Sequence, residues 1–433
     1  MATSYRLLIL FVSLALTAEL LAVPVVGQAA NLQFGTGGFT LTAGAGSVPI
    51  AGQAATLTAT AIPSWAQVAS GTWVQVPSSN KLIDLDPMAD PAVNPNYANY
   101  PTSAPEWAAN VLRQTKVIDA WCGWAYDPAT DFAYWPIAGG HSDYAGNEPY
   151  SLELYRDAPL FRRLRNPTGA IGNVINTNDG QDRTGKYGDN RPRASHTYNT
   201  CVWVPGSGAA AFQGAVAWDG GSGYLGLIFV NMTTGEPALY GATTPGFTVT
   251  DMATAYDASR NAVWLARHSS TSLGRYSVTG DSWTILTLPF ALSAPAVCYM
   301  PEHDCLLLCS TTLAQKYAVY DCATSTLYQP TFSGTPATAA FTSDRSCNPV
   351  WDGSKAYAWD NTTNTTAITR FTPPANPRTG TWTIDTMPVS GSNTVTPTVA
   401  TANGTWNRFS YSPRLGGFVL LNATNQQPYF YKI

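Results

Sequence analysis

Short apolar runs recur along this chain and return at intervals of about fifty residues. Each opens on an aromatic, in most copies followed by a turn residue: Tyr126-Asp127, Tyr198-Asn199, Tyr256-Asp257, Tyr299-Met300, Trp351-Asp352 and Tyr411-Ser412. A second pair of runs follows, as in YSLEL (150–154) and GRYSV (274–278), often closed by an aromatic such as Trp283 or Trp382. Short runs rich in Val, Ile, Thr and aromatics, bounded by Gly, Pro, Asn and Asp, predict strands, here four per repeat.

Four-stranded repeats of this length predict the blades of a β-propeller, which gathers one loop set from every blade on a single face. The copies predict an all-β fold with six blades over residues 66–433. The second blade is expected to start at Ala194, the fourth near Ala294 and the fifth near Ser346. The last copy, WNRFSYSPRLGGFVLL with QPYFYKI, supplies only three strands. The segment GTWVQVP (Gly71–Pro77), just ahead of the first blade, is the candidate for its fourth. A terminal strand used in this way closes the ring and removes its exposed edges.

Gly139-Gly140, Asn147, the strand Tyr150–Leu154, then Phe161 and Leu164 resemble a kelch repeat of the galactose-oxidase-like propellers. Phe161 stands where that family has Trp, while the third blade keeps Trp283 but lacks the glycine pair. The resemblance covers roughly residues 70–433 and implies the propeller fold, with unrelated functions possible on it. No Tyr/His/Cys set occupies loops suited to the family's copper, so neither metal nor cofactor is expected.

Residues 1–65 predict a separate small β module. Residues 1–22 resemble a secretory signal, with Arg6, an apolar run from Leu7 to Leu16 and small residues after it. Yet LTAELLAVPVVGQAANL (16–32) returns as LTAGAGSVPIAGQAATL (41–57), so the second half of that segment reads as part of a folded repeat. The GQAA-x-L and FTLTA phrases resemble short β repeats in structural proteins of tailed bacteriophages, which implies attachment to other virion proteins through residues 1–65. A membrane partner is expected only if the apolar segment is retained as an anchor.

Only 12% of the 433 residues are charged, and the formal net charge is −4 without a basic run. That argues against nucleic acid as a partner. Seven cysteines form neither C-x-x-C pairs nor a zinc spacing with the four histidines, and the odd count favours free, buried thiols. Asp84, Asp86 and Asp90 lack the glycine and terminal Glu of a calcium loop.

In each blade, the loop between strands two and three and the link to the next blade open on one side, here the loop face. The predicted strand order puts His141 and His268 in such loops of blades one and three. It puts His196 at the end of the link into blade two, and His303 on the opposite face. The link from Arg165 to Arg193 gathers Asp179, Asp182, Arg183, Lys186, Tyr187, Asp189, Arg191 and Arg193 in a chain poor in charge. Long exposed loops on a rigid scaffold carry binding. The candidate binding set is therefore His141, Asp143, Asp182, Arg183, Tyr187, Arg191, Arg193, His196 and His268.

Three functions fit. The first is a virion-associated adhesion protein whose propeller face binds a host-surface glycan or receptor, aromatic faces stacking on sugar rings. The second is a secreted carbohydrate-active lyase or hydrolase. There His141 or His196 would be the base, and Arg193 or Arg191 would neutralise a uronate carboxylate. The third is a structural decoration protein without a ligand.

Overall fold

The computed structural model describes residues 30–35, 38–43, 61–87, 115–119, 121–140, 144, 146–168, 186–187, 189–213, 224–243, 251–313, 315–334, 348–359, 365–400 and 403–433. The chain divides into two compact units, Met1–Ala61 and Ile62–Ile433. In the first, Ala30–Gly35 and Gly38–Ala43 form an antiparallel hairpin pairing Leu32 with Leu41 and Phe34 with Phe39. The strands join the end of one GQAA repeat to the start of the next.

The second unit is a six-bladed β-propeller. Each blade is built on four antiparallel strands ordered from the centre outward, as in Ala125–Asp127, Phe132–Trp135, Tyr150–Glu153 and Leu160–Arg163 of blade one. The inner strands of the others are Val202–Val204, Ala253–Asp257, Ala296–Met300, Val350–Trp351 and Phe409–Ser412. The last blade is completed from the N-terminal side: Trp73–Gln75 pairs antiparallel with Tyr429–Lys432, setting Tyr431 against Trp73 and Tyr429 against Gln75. Trp73 is fully buried, and its indole N–H donates to the Thr366 carbonyl at 3.0 Å.

Blade five carries a strand that the repeat pattern did not predict. Phe332–Gly334 runs parallel to the outer strand Trp382–Thr386, and Phe332 stacks on Trp382 with centroids 5.5 Å apart. The link leaving blade four thus covers an edge that would otherwise be open.

The aromatic-turn repeat has a local cause. In the hairpin joining strands one and two of blades one, three and four, the aromatic at position i bonds an Asp or Asn at i+5 that ends the turn. Tyr126 donates to Asp131 at 2.6 Å, Tyr256 to Asn261 at 3.0 Å and Tyr299 to Asp304 at 3.1 Å. Asp131, Asn261 and Asp304 all have φ between 45° and 56°, a region that Asp and Asn tolerate better than most residues. Blade two departs from this scheme. Tyr198 lies ahead of its inner strand, and Trp203 takes the position that Tyr126 and Tyr256 hold in theirs.

The core lies between blades rather than within any one of them. Trp124, Trp135 and Phe161 of blade one pack with Val419 and Phe430 of blade six, and Trp264 of blade three with Tyr320 of blade four. Six cysteines, Cys122, Cys201, Cys298, Cys305, Cys309 and Cys322, are buried free thiols, and burial pushes Cys122 up to about 11 and Cys201 to about 12. Among the described residues no helix is long and apolar enough to cross a membrane.

Candidate ligand-binding site on the loop face

Three links enter their inner strands at the blade six, one and two junction, and each places a large aromatic three or four residues ahead of the strand. These are Trp406, Trp121 and Tyr198, with φ of 51°, 53° and 48°. For bulky side chains such backbone is a true outlier, costing on the order of 1–3 kcal/mol at each position. The three rings gather. Tyr198 meets Trp406 edge-on at 5.0 Å, and its backbone N–H donates to the Trp121 carbonyl at 2.6 Å. His196 lies 4.7 Å from the Trp121 ring, and its Nδ1 is 3.4 Å from the Tyr198 hydroxyl. His196, Tyr198 and Trp406 are buried, and half-buried Trp121 brings the group to the surface.

The surrounding frame is rigid. Arg408, fully buried, donates to the carbonyls of Cys122, Gly404 and Leu421, which ties the links into blades one and six together. Gly140, with φ of 97°, packs so closely on Ser195 and His196 that a Cβ there would lie 2.5 Å from the His196 nitrogen. The Gly139-Gly140 pair is therefore a close-approach device. Asn147 pins the link to blade two, bonding Thr168 in both directions and the Pro192 carbonyl.

The predicted site residues divide. His141, Asp143, Asp182 and Arg183 lie outside the described residues, as does Asp179. Tyr187, Arg191 and Arg193 share the folded end of the link, where the Tyr187 N–H donates to the Arg191 carbonyl at 2.8 Å, whereas His196 belongs to the aromatic cluster. Arg193 and His196 are buried, and the Arg193 Nε donates to the Lys186 carbonyl at 2.9 Å. Arg191 is held by Glu236, at 2.6 and 3.0 Å, and by Asp189. The Tyr187 hydroxyl accepts from the Ala194 N–H at 3.4 Å. His268 sits in the loop between strands two and three of blade three, as expected, where its Nδ1 accepts the Ala294 N–H at 2.9 Å. That is a structural role.

Sequence reasoning missed Trp121 and Trp406, and it read Tyr198 as a strand opener. The signal was an aromatic just ahead of an inner strand rather than within it.

Glu148, in the same loop as the glycine pair, is a buried carboxylate. Its Oε1 accepts from Tyr150 at 2.6 Å and from Tyr144, while its Oε2 is buried without a hydrogen-bond partner. Burial holds its carboxyl above the usual carboxylate range, against the hydrogen bonds of Tyr144 and Tyr150 and the charge of Arg163. A raised folded-state value contributes stability below the ordinary Glu range that is lost as pH rises through the folded value. Thermal melts of the wild type and Glu148→Gln should therefore show the wild type losing ground as pH rises above the ordinary Glu range. Parallel curves would mean the carboxyl ionises as freely as in the unfolded chain.

No protein-family model and no curated protein matches the sequence. Among solved structures, a chain of the mitotic checkpoint complex shares 8% identity over 73% of this chain and 92% of its own, with a TM-score of 0.39. Glutaminyl cyclase of Myxococcus xanthus shares 12% over 54% and 88%, with a TM-score of 0.32. An auxiliary nutrient binding protein of Bacteroides ovatus shares 11% over 72% and 69%, with a TM-score of 0.41. None of these likenesses carries a statement about function. The class defined here is the six-bladed β-propeller.

Proposed function

We propose that this chain is a virion-associated adhesion protein that binds a glycan of the host surface through its loop face. The observation that carries the reading is the convergence of Trp121, Tyr198 and Trp406, all with positive φ, around His196. Backbone held in so sparsely populated a region clusters at ligand clamps, and aromatic faces stack on sugar rings. The kelch-type resemblance of blade one fits a scaffold that displays such loops. For virion attachment the support is the hairpin of residues 30–43, since two strands alone are marginal in water and gain from partner strands.

Trp121→Ala should weaken capture of the glycan by at least about tenfold on an array of host polysaccharides, with the melting temperature little changed, because Trp121 is only half-buried. Undiminished binding by that variant would overturn the site. The pairing of His196 with the Tyr198 hydroxyl favours a second reading, a carbohydrate-active lyase or hydrolase. Release of unsaturated or shortened sugars would select it.

A further inference from the structure

The channel between the six inner strands holds a cavity of about 540 Å³, apart from the aromatic cluster on the loop face. Asn348 and Asn407 line its loop-face end, and Pro128, Ala129, Pro205 and Gly206 line the end where the hairpins turn. The loop-face end is crossed by amides: Asn348 bonds the Thr254 carbonyl at 3.1 Å and the Val297 N–H at 3.0 Å, and Asn407 bonds the Cys201 carbonyl at 2.6 Å.

One aromatic from each of five consecutive inner strands lines the wall: Tyr126, Trp203, Tyr256, Tyr299 and Trp351. The three tyrosines are fixed by their hydroxyl bonds to Asp131, Asn261 and Asp304. The charge of the lining itself has one sign. Asp127 is the only charged side chain among the described residues of the lining, a buried carboxylate that accepts from the Ala129 N–H and the Thr130 hydroxyl and so can act on the cavity through its charge alone, and no Lys, Arg or His joins it there. Beside the wall, Glu302 accepts the Trp351 indole N–H at 2.7 Å, and Arg260 is outnumbered by its partners Asp257 and Asp304.

We propose that this cavity binds a small organic cation with an apolar shell, of the quaternary-ammonium class. An aromatic ring has negative π faces, the Asp127 carboxylate adds charge, and the nearest cations, Arg260 and Arg414, are paired with Asp257, Asp304 and Asp131. A neutral sugar would also stack on such rings, but it gains nothing from the charge and would need polar partners, and both lining amides already bond the backbone.

The test compares choline with its uncharged isostere 3,3-dimethylbutan-1-ol on the full chain, followed by tryptophan fluorescence and calorimetry. Choline should bind saturably, and the isostere should bind at least about tenfold more weakly. Trp351→Leu should weaken choline by a similar factor, with its melting temperature checked in parallel. No saturable choline binding overturns the proposal, and so does equal affinity for the isostere. The wild-type comparison decides even if the variant fails to fold.

Discussion

A chain beginning at Ser78 should fail to fold cooperatively, whereas one beginning at Ile62 should melt as a single unit. The difference between them includes Trp73–Gln75, the outer strand of blade six. Without it the Tyr429–Lys432 strand presents an open edge, a template for pairing with other chains. The shorter chain also loses the fully buried Trp73 and the Trp65 ring, which packs edge-on against Phe430 at 5.4 Å. Trp73→Ala alone should cost about 3–5 kcal/mol, the usual range for emptying a buried Trp site. Size-exclusion chromatography and thermal melts of the two truncations check this. A monomeric Ser78 chain with an unchanged melting temperature would show that closure depends on other contacts.

That closure was legible because it rests on arithmetic along the chain: the last repeat is one strand short, and one strand-like segment precedes the first. The hairpins of blades one, three and four were legible for a related reason, since an aromatic and its Asp or Asn five residues on make a local turn that the sequence displays directly. The added strand Phe332–Gly334 was not, because it follows its partner's outer edge in parallel and owes nothing to the repeat. The loop-face aromatics were hidden differently. A φ of about 50° at Trp121, Tyr198 and Trp406 is imposed by contacts between three links, and no local propensity announces it. The charged link was visible in composition, yet composition could not show that Arg191 faces Glu236 and Asp189, or that Arg193 and His196 are buried. Charge in a loop reads alike whether it serves a ligand or the fold.

The joint between the first and last blades depends on one carboxylate, and removing it should be among the most damaging single changes in the propeller. Asp131 of blade one is fully buried and accepts from Tyr126 in its own blade, and from Ser412 and Arg414 of blade six. Asp131→Ala takes away the acceptor shared by three donors, one of them a guanidinium only 23% exposed. Breaking a buried pair by deleting one partner costs about 3–5 kcal/mol. Part of any loss on going to Ala would come from the φ of 56° at this position. Asp131→Asn separates the effects, since Asn accepts that backbone and keeps a side-chain carbonyl while losing the charge. Asn should fall between Ala and the wild type, and Arg414→Leu should cost less in the Asn background than in the wild type. Denaturant unfolding of the four chains measures that coupling. Independent, additive losses would show that Asp131 serves its own hairpin and that the ring is held shut by the Trp73 strand and the Arg408 carbonyl contacts instead.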